Sequence, residues 1–331
     1  MRKVTFTPSV SGHAHTWPEN WAPRESLTLS PWRDYAVTSM ATQAQASREI
    51  QRRATKVEEK SIREIERHQQ PIVFTGGIEH WPARSKWSFS WFRDTHGDVV
   101  APVEWLKYHR AQDGSVARVG KVEPMPLRDY LDALVRDDGK LDGGYLIGKD
   151  LLVTLPELRR DTLFPDVQLS ERLTERLFFM GPRGAFTQLH YDRALNLHAM
   201  IVGRKRWQLY GPDKSERLRP ARYESPWSVI SEHDLAPEGG LAEQTPAGVQ
   251  PDYDLVLEAG EVLYVPYGWW HRVETLAPSI ATNFWWWSWP LLAVHGPRLL
   301  GTIAKSAVLA RIKRHEKTTL GRKYGSKDTQ P

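Results

Sequence analysis

Three residues have the types and spacing of a metal site. His190-Tyr191-Asp192 is an H-x-D on a strand-like segment, and residues i and i+2 of a strand project from one face. His271 offers a third ligand 81 positions later, at the end of Val265-Pro266-Tyr267-Gly268-Trp269-Trp270-His271. That stretch reads as a Pro/Gly turn feeding another strand. Two imidazoles and one carboxylate can occupy one face of an octahedron. Three positions then stay open for a chelating co-substrate and dioxygen, the arrangement of non-haem iron(II) oxygenases. Singly, each residue has an ordinary alternative: a strand histidine bonded to a carbonyl, a turn aspartate, a strand-end histidine beside aromatics.

A 2-oxo acid such as 2-oxoglutarate chelates iron at one end and needs a cation for its far carboxylate. Lys205 follows His190 by 15 residues, in Gly203-Arg204-Lys205-Arg206-Trp207. Gly203 reads as a turn between two strands that returns Lys205 to the same cavity. Alternation sends Lys205 one way and Arg204 and Arg206 the other. The competing reading is a solvated basic hairpin. The hydroxyls of Thr187 and Tyr145 could bond the same carboxylate, or could be a strand threonine and a core tyrosine. Asn196 and Asn283 lie in apolar strand-like runs, where a buried amide requires partners. Near iron they could bond the metal-bound carboxylate or a substrate amide.

The elements that must position these residues follow from pattern. Residues 1–40 read as an extended or partly ordered arm, and Thr42 to Arg67 as a helix with Ile50, Ile62 and Ile65 inward. Ile72-Val73-Phe74 reads as a buried strand. Helices are expected over Ser88–Thr95, Pro126–Val135 and from Pro156, with strands at Asp98–Val103 and Tyr145-Leu146-Ile147. After Leu177 the period becomes that of strands: Leu177–Met180, Ala185–Leu189, Leu195–Val202, Lys205–Tyr210, Asp254–Leu257, Glu261–Val265, His271–Glu274 and Ile280–Trp287. Residues 291–320 return to helical character. The plan is mainly β with flanking helices, divided into residues 1–69, 70–290 and 291–331.

Composition narrows the chemistry. The 331 residues are 40% hydrophobic and 26% charged, with a net charge of +5 and no cysteine. Disulfides, thiolate zinc modules, iron–sulfur clusters and cysteine nucleophiles are excluded. Any metal must use His, carboxylate and water, which suits iron(II), manganese, zinc or nickel. No apolar run reaches the roughly 20 residues of a membrane span, and the N-terminus does not read as a signal peptide, so a cytoplasmic protein is expected. From Gly296 onward nine Lys and Arg face two acidic residues. This is either a solvated helix face with a frayed end or a nucleic-acid contact that salt would weaken.

These residues resemble the Jumonji-C, cupin-like family of iron(II)- and 2-oxoglutarate-dependent oxygenases, and within it the asparaginyl hydroxylase that inhibits hypoxia-inducible factor, with its bacterial relatives. The likeness rests on residues 184–196 (GAFTQLHYDRALN), 203–213 (GRKRWQLYGPD), 260–271 (GEVLYVPYGWWH) and Asn283-Phe284-Trp285, with Pro71–Trp81 similar to the family's entry segment. It implies a double-stranded β-helix (jelly roll) core, and iron on His190, Asp192 and His271. It also implies 2-oxoglutarate on Lys205, Thr187 and Tyr145, with Asn196 and Asn283 at the metal end. Trp285 matches a residue that flanks substrate, and Tyr191 is assigned to the same pocket. The C-terminal helices are similar to those through which the family dimerises, so a homodimer is expected. The implied reaction hydroxylates a protein or peptide side chain, or a small molecule, with release of succinate and CO2. N-methyl-lysine or -arginine demethylation and a non-catalytic cupin binding protein are the alternatives.

Overall fold

From residue 174 onward the chain obeys a period of two, and hydrogen bonding collects these strands into facing sheets. The computed structural model describes residues 47–293 except 59–63, 67, 106, 111–115, 137–140, 142, 149, 166–173, 222–227, 235, 238–248 and 290. In chain order the strands are β1 (Gln51–Ala54), β2 (Ile72–Thr75), β3 (Val100–Glu104), β4 (Lys107–Arg110), β5 (Val116–Val119), β6 (Val122–Pro126), β7 (Leu146–Gly148), β8 (Thr174–Gly181), β9 (Phe186–Asp192) and β10 (Leu195–Val202). They continue with β11 (Arg204–Tyr210), β12 (Ser228–Ile230), β13 (Ala236–Pro237), β14 (Tyr253–Glu258), β15 (Val262–Val265), β16 (Trp270–Thr275) and β17 (Ser279–Trp286).

A seven-stranded sheet runs β1-β2-β15-β10-β17-β8-β7, and a five-stranded sheet runs β12-β9-β16-β11-β14. The larger sheet is buried on both faces, which explains why Leu195–Val202 reads as an almost unbroken apolar run. Its outer face, with Leu195, Leu197, Ala199, Phe178 and Trp286, packs with Trp81, Phe92, Tyr130, Leu131 and Leu134. Phe92 and the last three come from the helices Phe89–His96 and Leu127–Arg136. Its inner face, with Val73, Phe179, Met200, Leu263 and Ala281, packs with Trp207, Leu209, Leu255 and Leu257 of the smaller sheet. This is the two-layer jelly roll of a cupin, closed mainly by burial of apolar side chains between layers.

Local chemistry marks several boundaries. Ser88 caps the helix Phe89–His96, its Oγ accepting from Trp91 N at 3.0 Å, a contact worth about 1 kcal/mol. Gly203, at φ +81°, lets the chain turn where a Cβ would lie 2.3 Å from Pro278 O. Here the sequence expectation needs correcting. Gly203 does not close a hairpin, because β10 and β11 belong to different sheets. It carries the chain from one layer to the other, so Lys205 reaches the interior from the opposite wall.

The helix expected over 42–67 is corrected in part: residues 64–65 are helical, residues 42–46, 59–63 and 67 lie outside the described residues, and the stretch between takes another form. Residues 51–54 form β1, paired in parallel with β2, and Arg52 pairs with Glu261. An open sheet edge outweighed the weak helical preference of this Arg-rich stretch. Tyr145 precedes β7 and bridges Glu104. Residues 291–293 are helical, while the arm at 1–40 and the basic tail fall outside the described residues. Among the described residues no helix is long and apolar enough to cross a membrane.

Candidate metal and 2-oxoglutarate site

His190 and His271 face each other across the antiparallel pair β9 and β16, with ring centroids 4.1 Å apart. Asp192 closes the triangle: its Oδ1 lies 3.6 Å from His190 Nε2 and its Oδ2 3.7 Å from His271 Nε2. One potential ligand atom from each residue lies within 4.8 Å of the others. The turn before His271 is tied to this corner, since Gly268 N donates to Asp192 O at 3.1 Å.

Each ring is held in the tautomer a metal needs. Nδ1 of His190 donates to Gln188 O at 2.7 Å, and Nδ1 of His271 donates to Trp269 O at 3.0 Å. Both Nε2 lone pairs are thereby left for coordination. Burial keeps both imidazoles neutral, lowering the His190 pKa to about 4 and that of His271 well below its ordinary value. Trp207 stacks on His271 at 5.4 Å and holds its plane.

Asp192 supplies the strongest test of whether a metal fits. Its carboxylate is 1% exposed. Oδ2 accepts from Asn196 Nδ2 at 3.0 Å, while Oδ1 is buried without a hydrogen-bond partner among the described residues. Burial lifts its pKa to about 7, against the pull of Asn196 and Trp285. A divalent cation bound between the two Nε2 atoms would satisfy that oxygen and restore the ionised form. Because Asn196 orients the carboxylate, Asn196→Ala is expected to weaken iron(II) binding by about 10–100-fold, measured by anaerobic titration.

The other end of the cavity is built around a cation. Lys205 is 1% exposed and donates to Tyr145 Oη at 2.6 Å. Its Nζ lies 5.1 Å from the Phe179 ring centroid. No carboxylate pairs with it among the described residues, and burial lowers its pKa from 10.5 to about 7. A buried ammonium lacking an anion fits the far carboxylate of 2-oxoglutarate. Arg204 and Arg206 point outward, as alternation requires, and Arg206 pairs with Asp254 at 2.6 Å. Tyr145 comes close because Gly181 has no side chain: a Cβ there would lie 2.5 Å from the Tyr145 ring.

Both ends open on one cavity of about 80 Å³, lined by His190, Asp192, His271, Lys205, Thr187, Tyr145, Asn196, Asn283 and Trp285. Thr187 would face away from His190 in a regular strand. The register of β9 against β16 slips between His271 and Val273, pairing His271 with His190 but Val273 with Thr187. This β-bulge returns Thr187 to the cavity side. An outer cavity of about 170 Å³ shares Tyr145, Ile147, Thr187, His190 and Trp285, and adds Glu104, Tyr108, Gln188 and Ser228 at its wall.

Tyr191 is the correction in the site. It lines neither cavity and packs edge-on against Trp270 at 4.7 Å, in the cluster with Leu189 and Tyr210. Its position between two inward ligands on a strand dictates that opposite face.

Sequence reasoning missed His198, Trp207 and Phe179 on the inner cavity wall. The two-residue step from Asn196 to His198 and from Lys205 to Trp207 was the available signal. It also missed Gln188 and Asp234, which brace β9. Gln188 exchanges hydrogen bonds with the Tyr108 backbone at 2.7 and 3.1 Å. Asp234 Oδ2 accepts from Leu189 N at 2.5 Å. Asp234→Ala strands that buried donor, and should lower unfolding stability by about 1–3 kcal/mol in a denaturant titration.

The pattern of the cupin-like domain matches residues 58–290. The chain therefore belongs to the cupin-like, Jumonji-C family of oxygenases, whose members use iron(II) and 2-oxoglutarate. It is 32% identical over 228 residues to lysine-specific demethylase 8 of Xenopus tropicalis, covering 66% of this chain and 48% of that one. It is 30% identical over 221 residues to lysine-specific demethylase JMJ30 of Arabidopsis thaliana, covering 65% and 49%. With the human bifunctional peptidase and (3S)-lysyl hydroxylase JMJD7 it shares 27% identity over 248 residues, covering 66% and 77%. The chain thus spans about half the length of the two demethylases.

Proposed function

We propose that this chain is an iron(II)- and 2-oxoglutarate-dependent oxygenase that hydroxylates a protein or peptide side chain. The observation that carries the reading is one cavity with an open His-Asp-His face at one end and, at the other, a buried Lys205 with no anion among the described residues. When bound, iron(II) with 2-oxoglutarate supplies dioxygen activation coupled to decarboxylation, giving succinate and CO2. His190, Asp192 and His271 would hold the metal. Lys205, with Tyr145 and Thr187, would hold the far carboxylate. Trp285 and Tyr145 belong to both cavities, so they would stand between co-substrate and target side chain. The apolar walls from Leu177, Phe179, Trp207 and Val273 would help exclude water from the cavity.

The names of two relatives favour a second reading, demethylation at N-methyl-lysine. Hydroxylation of an N-methyl carbon gives a hemiaminal that releases formaldehyde, so one oxidising site serves both outcomes. The experiment is turnover with iron(II), ascorbate and 2-oxoglutarate against a peptide panel, each peptide in plain and N-methylated form. Hydroxylation is supported by succinate release matched by peptides gaining one oxygen atom. Formaldehyde with loss of a methyl group supports demethylation, and coupling to small molecules alone would remove the protein-substrate assignment. Absence of succinate formation with every substrate would favour a binding protein. A cytoplasmic location and a homodimer through residues 291–331 belong to the same proposal, the latter checked by light scattering of the full chain and a truncation.

A further inference from the structure

His198 is a polar residue of the inner cavity to which the site described above assigns no task. It lies on β10 two residues after Asn196, and alternation sends both side chains to the inner layer. Its cross-strand partner on β17 is Asn283. The ring is 3% exposed, with its centroid 4.9 Å from that of Trp207 and 5.5 Å from that of Phe179. Its Nε2 is buried without a hydrogen-bond partner among the described residues, and its ring neighbours are the aromatic Trp207 and Phe179. Native interiors seldom leave such an atom unsatisfied, and a Phe or Leu would fill this space without that cost. Burial, and after it Lys205 and His271, keep the His198 ring neutral, and all three residues line the same cavity.

We propose that His198 is a positioning residue for 2-oxoglutarate, donating its imidazole N–H to a carboxylate oxygen of the bound co-substrate. The inference rests on the functional reading above and deepens it. The co-substrate would then be gripped by the metal, by Lys205 and by a neutral donor from the opposite sheet. That third contact would fix the molecule's rotation about its long axis.

The test uses the full chain. Iron(II) affinity is measured first, then 2-oxoglutarate is titrated anaerobically and followed by the visible charge-transfer band of the chelate. A thermal-shift titration with the same probe gives a second readout. His198→Phe and His198→Leu are expected to weaken 2-oxoglutarate binding about tenfold, the scale of one hydrogen bond to a charged group. Iron(II) affinity should be unchanged and the melting temperature without ligand no lower than wild type. His198→Gln, which keeps a donor, should stay within about threefold of wild type on the same scale. The proposal is overturned if the Phe or Leu variant binds 2-oxoglutarate as tightly as wild type, or if Gln loses as much as Leu. The Leu variant stands in should Phe not fold. Wild-type protein that binds iron(II) but not 2-oxoglutarate overturns this inference and the functional reading together. Failure of the variants alone to differ overturns only this inference.

Discussion

Asp192→Ala is expected to abolish iron-dependent turnover of 2-oxoglutarate while leaving the protein folded. Asp192 is the sole carboxylate of the triad and touches both histidines. Without it, two neutral imidazoles remain, and they cannot offset the charge of a divalent ion in a buried site. A loss of at least about a thousandfold, roughly 4 kcal/mol, follows in succinate production. The fold does not depend on the group. Its carboxyl is buried with one oxygen unpartnered and a pKa raised from 3.8 to about 7. A carboxylate with a raised folded-state pKa costs stability as pH climbs from below 3.8 to 7, and the cost is complete above 7. Asp192→Asn keeps an acceptor for Asn196 and removes the charge. Its melting temperature without metal at pH 8 should therefore equal or exceed that of wild type. Wild-type succinate production by Asp192→Ala would remove this residue from the site.

Lys205→Met has the second large effect, and its two consequences run in opposite directions. Truncating one partner of a buried ion pair costs about 3–5 kcal/mol, so 2-oxoglutarate binding should weaken by at least roughly a hundredfold. Before ligand arrives, however, Lys205 is a buried cation without an anion among the described residues. Its pKa falls from 10.5 in the unfolded chain to about 7 in the fold. The protonated group therefore penalises the fold fully below pH 7, and the penalty fades as pH rises toward 10.5. Met removes it, so the variant should melt higher than wild type at pH 7 in the absence of ligand.

Ligand binding carries the matching signature. The far carboxylate favours the ammonium, so above pH 7 binding must take up a proton. Wild-type affinity for 2-oxoglutarate should be level below pH 7 and weaken up to about tenfold per pH unit above it. Calorimetry in buffers of different ionisation enthalpy would show the proton uptake, and Lys205→Met would show none. A wild-type affinity unchanged from pH 6 to 9 would contradict the account.

Much of this site was legible because ligand spacing survives translation into strands. His190 and Asp192 share a face by the two-residue rule, and Lys205 is separated from Arg204 and Arg206 by the same rule. The same rule runs against the pocket assignment of Tyr191: between two inward ligands it turns outward and packs on Trp270. The sequence could not reveal the bulge in β9, since one extra residue against β16 leaves no compositional mark, yet it sets the direction of Thr187. Nor could local pattern show that Gly203 crosses between sheets, because a turn residue looks alike in a hairpin and a crossover. The strand Gln51–Ala54 was hidden for a related reason. Its pairing depends on the distant edge of β2, and its own residues prefer helix weakly. Gln188 acts through the Tyr108 backbone and Asp234 through the Leu189 backbone, contacts that no residue pattern displays.

The measurement that bears most directly on the central claim is anaerobic titration of the metal-free chain with iron(II) and then 2-oxoglutarate, repeated with Asp192→Ala and Lys205→Ala. The account predicts a visible metal-to-ligand charge-transfer band in wild type that saturates with one equivalent of each, is lost with Asp192→Ala and weakens with Lys205→Ala. A folded, iron-loaded wild-type protein that develops no band would contradict it.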